Sequence, residues 1–320
     1  MRSRPGAGGP PRWWPIVLLV VAALALVTCS TPERPVTDEG AAAAPAEAVT
    51  VASFDFPESQ VLAEIYSQAL ERAGVPAVHQ PRVGPREIME PALEQGLVDL
   101  VPEYLGSALA FLVPGIAVAT LDTAAAHQRL QEVVSDRGLT VLDAAPAENQ
   151  NGFVVTPETA ERYDLQAVSD LEPIAGDLRF GGPPECRERP FCLVGLQNTY
   201  GLSFLTFTPL DSGGPLTRAA LTGGEVDVGL LFTTDGHLAS GDFVLLADDR
   251  NLQPPENVVP VVRREVAESF GGALVETLDR VSAALTTADL AALNQQLSVQ
   301  GALAADVAAG WLDDKGLVTG

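Results

Sequence analysis

The chain has 320 residues, of which 47% are hydrophobic and only 6% aromatic, and it carries a formal net charge of −23. So acidic a protein is a poor partner for nucleic acid or for an anionic membrane surface, and its apolar content is ample for a folded protein of two lobes. Two explanations fit the acidity: solubility, which is the more common, and a preference for a cationic ligand.

The first 28 residues have the features of an export signal. Three arginines precede an apolar run over 16–27, which is short for a membrane span but typical of a signal peptide. The run closes at Cys29 in L-V-T-C, which resembles the lipobox of bacterial lipoproteins. We therefore predict a signal peptide over 1–28, with a lipid on Cys29 anchoring the protein to the outer face of the cell membrane. An uncleaved anchor is the alternative.

A segment without core-forming residues follows, and then the pattern of an α/β domain. Residues 29–48 are mostly Thr, Pro, Glu, Asp, Gly and Ala, which predicts a disordered tether. Apolar periodicity and glycine stops beyond it predict short strands alternating with helices. The main expected elements are strands at 49–52, 98–101, 140–144, 152–156 and 258–262, and helices at 57–73, 123–137, 158–162, 266–285, 288–299 and 302–313.

A thirteen-residue pattern occurs twice. A-L-E-Q-G-L-V-D-L-V-P-E-Y ends at Tyr104, and A-L-T-G-G-E-V-D-V-G-L-L-F ends at Phe232, with Ala, Leu, Gly, Val and Asp at the same offsets. Either this is the commonplace pattern of a helix, a glycine and a buried strand, or it marks two similar lobes whose strand ends face one crevice. The second interpretation places lobe 1 at 49–149 plus 236–320 and lobe 2 at 150–235, with crossovers at the two junctions.

The cysteines and the missing motifs narrow the chemistry. Cys186 and Cys192 form a close pair in a Pro-rich loop of an exported chain, which favours a disulfide; a metal site would need more ligands, and the spacing is not C-x-x-C. No nucleophile elbow, zinc-protease, P-loop or dinucleotide motif occurs in a supporting context. Asp99 and Asp227 hold equivalent repeat positions, so shared structure explains them better than acid and base catalysis. We expect a protein that is not an enzyme and has no cofactor.

Three segments carry a recognisable pattern: V-A-S-F-D-F-P-E-S-Q from Val51, the long segment G-P-R-E-I-M-E-P-A-L-E-Q-G-L-V-D-L-V-P-E-Y-L-G-S-A-L from Gly84, and F-T-T-D-G from Phe232. Together they resemble the substrate-binding proteins of osmoprotectant ABC transporters, which carry glycine betaine, choline, carnitine or related amines. The resemblance covers nearly all of 49–320. It implies a type II periplasmic-binding-protein fold, with two α/β lobes, two crossovers and a ligand cleft between them.

The resemblance also implies a set of ligand contacts. A trimethylammonium group donates no hydrogen bond, so it is held by aromatic faces. The expected contacts are Tyr104, Tyr200, Phe232, Asn151, Asn149, Thr234, Asp235, Arg86 and Phe54. Phe232 and Asn151 stand where relatives carry aromatic cage residues, and Phe54 stands where many carry lysine, which leaves Arg86 to hold a polar tail. Each polar residue has a structural alternative: Asn, Asp and Thr cap backbone turns, and Arg86 could pair with an acid on its own helix.

These features predict a monomeric, lipid-anchored solute-binding protein that closes on a small quaternary amine or zwitterion and delivers it to a permease with a separate ATPase. The alternatives are a ligand-sensing module for a membrane partner, and a binding protein for a different polar amine or amino-acid-like solute.

Overall fold

The computed structural model describes residues 48–317. The predicted signal peptide, Cys29 and all but the last residue of the tether lie outside the described residues. Within 48–317, no helix combines the length and the apolar character needed to cross a bilayer.

Strands and helices alternate along the described chain. The strands are β1 (Val49–Ala52), β2 (Ala77–Gln80), β3 (Leu100–Tyr104), β4 (Leu139–Val141), β5 (Asn151–Val155), β6 (Arg179–Gly182), β7 (Thr206–Pro209), β8 (Val228–Phe232), β9 (Val244–Leu245) and β10 (Val258–Arg263). The α-helices are α1 (Pro57–Arg72), α2 (Arg86–Glu94), α3 (Leu105–Leu112), α4 (Thr123–Ser135), α5 (Pro157–Tyr163), α6 (Leu193–Tyr200), α7 (Pro215–Thr222), α8 (Gly236–Ala239), α9 (Arg264–Phe270), α10 (Gly272–Ala284), α11 (Thr287–Ser298) and α12 (Ala304–Asp314). Short 3-10 turns cover Val118–Thr120, Val168–Leu171, Ala175–Asp177 and Pro184–Arg187.

The strands form two five-stranded sheets with the same topology. The first has the order β2-β1-β3-β10-β4, and the second has the order β7-β6-β8-β5-β9. In the first sheet β10 runs antiparallel to both of its neighbours, and in the second sheet β5 does the same. Each antiparallel strand enters its sheet after the chain has crossed from the other lobe. The predicted architecture of two α/β lobes is confirmed.

The repeated pattern has the same structural role in both lobes. Asp99, just before β3, accepts a hydrogen bond from the Thr50 amide of β1 at 2.9 Å, and Asp227, just before β8, accepts one from the Arg179 amide of β6 at 2.8 Å. Each carboxylate therefore joins the start of one central strand to the strand beside it. The repeat is not a chance match, and the structural interpretation of the two aspartates accounts for their positions.

The boundary of the second lobe differs from the prediction at residue 235. The segment after β8 does reach the first lobe, where Asn294 of α11 donates to the Thr234 carbonyl at 3.0 Å. The chain then returns to the second sheet, because β9 pairs with β5 through Val154 and Val155. The final crossing lies between β9 and β10, so residues 244–245 belong with lobe 2. The two-residue strand β9 is too short to leave a recognisable alternation in the sequence.

Candidate functional site

A cleft of about 630 Å³ lies between the lobes, at the carboxyl ends of β3 and β8. Parallel strands present their carboxyl ends at one edge of a sheet, which is where open α/β folds bind ligands. Six of the nine predicted contacts line this cleft: Phe54, Arg86, Tyr104, Asn149, Asn151 and Phe232.

An aromatic group forms the floor of the cleft. The Phe56 ring lies 5.1 Å from that of Phe232 and 6.0 Å from that of Tyr104, measured between centroids, and Phe54 stacks on Phe56 at 6.0 Å. Phe54, Phe56 and Tyr104 come from lobe 1 and Phe232 from lobe 2. The sequence analysis missed Phe56, although it stands two residues after Phe54 in the quoted motif, and it contacts both of the predicted walls.

Local backbone geometry fixes the ring of Phe232. This residue pairs with Asn151 across the antiparallel strands β8 and β5, so the two side chains enter the cleft together. A turn at Gly213, with a φ of +63°, passes so close that a Cβ atom there would lie 2.8 Å from the Phe232 ring. Only glycine combines this φ with this approach.

A buried carboxylate, Glu58, joins several segments beside the cleft through hydrogen bonds. It stands in the first turn of α1 and is only 2% exposed. Its oxygens accept hydrogen bonds from four side chains of four different segments: Tyr104 Oη at 2.6 Å, Asn149 Nδ2 at 2.6 Å, Thr234 Oγ1 at 2.5 Å and Asn294 Nδ2 at 2.5 Å. Burial and then the charge of Glu58 raise the pKa of Tyr104, so its hydroxyl remains a donor. The sequence analysis did not identify this role of Glu58, although the residue lies in the motif quoted from Val51.

Arg86 is held by an acid from a neighbouring strand and not from its own helix. Its Nε and Nη2 donate to the Glu103 carboxylate at 2.9 and 2.7 Å, and its guanidinium carbon lies 5.1 Å from the Phe54 centroid. Among the described residues, nothing accepts a hydrogen bond from Arg86 Nη1. Burial, followed by the charge of Glu103, raises the pKa of the neighbouring Glu90 to about 8.

Glu256, in the second crossover, adds another buried carboxylate to the cleft wall. Ser107 donates to it twice, from Oγ at 2.5 Å and from its amide at 3.0 Å. Burial raises the pKa of Glu256 to about 7, although the Ser107 hydroxyl acts in the opposite direction. The residues that line the cleft include five carboxylates and two arginines, which gives the lining a formal net charge of −3. The carboxylates are Asp55, Glu87, Glu185, Glu188 and Glu256, and the arginines are Arg86 and Arg189.

Three predicted contacts do not reach the cleft. Tyr200 is buried at the end of α6, where its hydroxyl donates to Asp248 and accepts from the Arg250 amide at 2.8 Å. It therefore fastens the loop after β9 inside lobe 2, and the structure places it outside the cleft lining. Thr234 is buried against Glu58, as described above.

Asp235 serves a structural purpose as well. It caps α8 by accepting from the His237 amide at 2.8 Å, and it pairs with Arg218 at 3.2 Å. The capping alternative raised by the sequence is therefore the one that the structure bears out for Asp235. The two asparagines also have partners: Asn149 Nδ2 binds Glu58, and Asn151 Nδ2 donates to the Phe191 carbonyl at 3.1 Å.

Lobe 2 contributes to the cleft mainly through the loop that the cysteines close. Cys186 and Cys192 form the predicted disulfide, with their Cα atoms 5.2 Å apart. Both cysteines line the cleft, together with Arg189 and Phe191 from between them. The sequence analysis considered only the disulfide of this loop, and it did not predict that the Phe191 ring lines the cleft. Across the described residues, no group of three or more His, Cys, Asp or Glu side chains is arranged to hold a metal ion.

Comparison with known proteins points to one family. A profile of the substrate-binding domain of ABC-type glycine betaine transport systems (OpuAC) matches residues 47–314. The chain is 28% identical to the glycine betaine-binding protein YehZ of Escherichia coli over 85% of this chain and 92% of that protein, and 29% identical to a glycine-betaine-binding protein of Pseudomonas aeruginosa over 86% and 90%.

A solved structure described as a glycine betaine/carnitine/choline ABC transporter is also similar, with a TM-score of 0.67 and 26% identity over 85% of this chain and 100% of that one. The type II periplasmic-binding-protein fold implied by the resemblance is confirmed.

Proposed function

This chain belongs to the substrate-binding domain family of ABC-type glycine betaine transport systems, and from that premise we propose that its cleft binds a small quaternary amine. Members of this family bind solutes and are not enzymes. The ligand is a cation or zwitterion of the glycine betaine, choline or carnitine type, the compounds that appear in the names of similar proteins.

The aromatic floor of the cleft is the observation that carries the proposal. The rings of Phe54, Tyr104 and Phe232 each lie within 6.0 Å of the Phe56 ring, measured between centroids, and all four residues line the cleft. A methylated ammonium is attracted to such faces because of their negative quadrupole, and it needs no hydrogen-bond acceptor. The acidic balance of the lining further favours a positive charge in the cleft.

The aromatic faces alone are not enough for tight binding. Each contributes about 0.5–2 kcal/mol, whereas micromolar affinity requires about 8 kcal/mol. The remainder must come from the rest of the ligand, and Arg86 is the group available to a carboxylate. Glu103 accepts hydrogen bonds from Arg86 Nε and Nη2 and so orients the guanidinium. Among the described residues, Arg86 Nη1 has no acceptor and remains available to a ligand. Because Glu103 already offsets its charge, Arg86 serves as a positioned donor and not as an isolated cation.

We further propose that the protein is a lipoprotein that delivers its ligand to a membrane permease. The support is the sequence of the N-terminus, where an apolar run ends at Cys29, together with the family membership. A lipid on Cys29 followed by about twenty tether residues would keep the lobes within reach of a permease while allowing them to rotate.

A thermal-shift panel tests the ligand class. Glycine betaine, choline, carnitine, ectoine and unmethylated amino acids are compared at millimolar concentration, because a ligand of the native state raises the melting temperature by mass action. A shift with methylated ammonium compounds and none with their unmethylated analogues is the expected result. If no quaternary or zwitterionic compound shifts the transition, the proposal fails.

A matched pair of variants tests the site. Phe232→Ala removes one face and should weaken binding by about 1–2 kcal/mol. Phe270→Ala truncates another half-buried phenylalanine, at the end of α9 and outside the cleft lining, and should leave affinity unchanged. Calorimetric titration of both variants separates a ligand contact from a general loss of stability. Equal affinity in the two variants would remove Phe232 from the site.

A further inference from the structure

One side chain of lobe 2 reaches across the cleft to lobe 1. Arg189 Nη2 lies 2.9 Å from a carboxylate oxygen of Glu87 in α2, and its guanidinium carbon lies 5.2 Å from the centroid of Phe111 in α3. All three residues line the cleft. The lobes are therefore joined at the cleft wall by an ion pair and a cation–π contact that share one guanidinium.

The loop that carries Arg189 is anchored to the rest of the molecule. The Cys186–Cys192 disulfide closes it, and the Phe191 carbonyl accepts from Asn151 Nδ2 at 3.1 Å and from Gln253 Nε2 at 3.0 Å. Asn151 is the first residue of β5 and Gln253 lies within the second crossover, so the loop is bonded to a strand of lobe 2 and to one connection between the lobes.

Close packing behind the loop limits its movement further. A Cβ atom at Gly195 of α6 would lie 2.1 Å from the Pro190 carbonyl oxygen, so the loop rests directly on the helix backbone. Holding a long arginine side chain in one geometry normally costs conformational entropy. When the loop is already fixed, less conformational entropy is lost as Arg189 contacts lobe 1, because little of the loop backbone has to be ordered.

We propose that Arg189, presented by the disulfide-closed loop, is a latch that holds the two lobes together over the ligand and slows its release. The inference rests on the proposed function, since it concerns the lifetime of the closed, ligand-bound state. A latch that stabilises only the closed form raises apparent affinity by increasing the fraction of binding-competent protein. Its effect should be moderate, because Glu87 is half-exposed and exposed ion pairs are weak.

Arg189 could instead contact the ligand itself, and a charge exchange separates the two roles. Arg189→Glu and Glu87→Arg each place like charges opposite one another, whereas the double variant restores an ion pair in the reverse orientation. A latch recovers the ion-pair part of its effect in the double variant, because that attraction between the lobes is restored, whereas the contact with Phe111 is not. A direct ligand contact does not recover, because the positive charge has moved to the other wall.

The test measures release of isotope-labelled glycine betaine and choline from the full chain in detergent. Each single variant should release ligand about three- to tenfold faster, and the double variant should release it at least about twofold more slowly than either single variant, with the lost contact to Phe111 keeping it above the original rate. The matched control exchanges Arg162 and Glu158, an exposed ion pair within α5, and should leave the rate of ligand release unchanged. Unchanged release in the single variants, or a double variant as fast as Arg189→Glu, would overturn the proposal.

A second measurement does not depend on the ligand. Hydrogen–deuterium exchange of ligand-free protein should show faster exchange over 86–94 and 105–112 in the single variants and recovery in the double variant. If none of the compounds in the thermal-shift panel binds the original protein, the function proposed above fails, while this result still decides whether the latch exists. Replacing both Cys186 and Cys192 by alanine should also increase this exchange if the closed loop is what holds Arg189 in place; no increase would refute that part.

Discussion

Replacing the Glu58 carboxylate by an amide should destabilise the protein strongly. In the native structure the two oxygens of Glu58 accept four hydrogen bonds, from Tyr104, Asn149, Thr234 and Asn294. The side chain has almost the same shape in Glu58→Gln, but one acceptor oxygen becomes an NH₂ donor. That donor would face other donors in a site closed to water.

The size of the effect follows from the hydrogen bonds. A hydrogen bond to a charged group contributes about 1.5–3 kcal/mol, and breaking a buried charged network costs about 3–5 kcal/mol. Glutamine keeps one acceptor, so at least the two bonds to one oxygen are lost. We expect a loss of about 3–5 kcal/mol in the free energy of unfolding, which lowers Tm by about 6–20 °C for a domain of this size.

The chain offers a closely matched control. Glu158 follows Pro157 in the first turn of α5, as Glu58 follows Pro57 in the first turn of α1, so both acids interact with a helix N-terminus. The Glu158 side chain is 82% exposed, in an ion pair with Arg162. Glu158→Gln should therefore cost less than about 1 kcal/mol.

Urea unfolding at pH 7 measures both variants. The difference between them isolates the buried network from the helix-dipole contribution. A difference below about 1 kcal/mol would refute the reasoning, since it would mean that losing two hydrogen bonds to a buried carboxylate has almost no net cost. Tyr104→Phe, which deletes a single donor, should fall between the two variants.

Two further predictions concern residues on either side of the cleft boundary. Tyr200→Phe should lower the free energy of unfolding by about 1.5–3 kcal/mol, because it loses a hydrogen bond to the Asp248 carboxylate. Ligand affinity measured by calorimetry should be unchanged. Weaker binding would instead show that Tyr200 belongs to the site. Burial raises the pKa of Glu256 to about 7 from an ordinary value of 4.5, so the folded state binds the proton more tightly. The resulting stability is fully present below pH 4.5 and is lost as pH rises through 7. Glu256→Gln should flatten the pH dependence of unfolding between pH 5 and 7, and an unchanged slope would contradict the assignment.

Local sequence signals predicted a helix or strand well where they marked the residue at which it begins or ends. The expected strand at 49–52 is β1, and the helix expected to stop at Gly74 is α1. The helix expected at 288–299 is α11, and Thr286 caps it by accepting from the Asp289 amide at 3.2 Å. The long helix expected at 266–285 is instead two helices that meet at Gly271, whose φ of +60° interrupts the helical path.

The candidate site was only partly predictable. Asn149 and Asn151 were recognised at the predicted first crossover, and Phe54, Arg86, Tyr104 and Phe232 within segments of family-like sequence; all six line the cleft. Tyr200 was chosen on the same grounds, but α6 directs it into the interior of lobe 2. The direction of a side chain depends on how its helix packs, which a short motif does not specify.

The sequence by itself determined the two-lobed α/β plan, because periodicity, glycine stops and the thirteen-residue repeat are local properties of the chain. Only the tertiary structure decided which groups meet in the cleft. Glu58 is bonded to residues up to 236 positions away, and Arg189 meets Glu87 at a separation of 102. Such contacts depend on how separate elements are packed against one another, and no spacing along the chain records that packing.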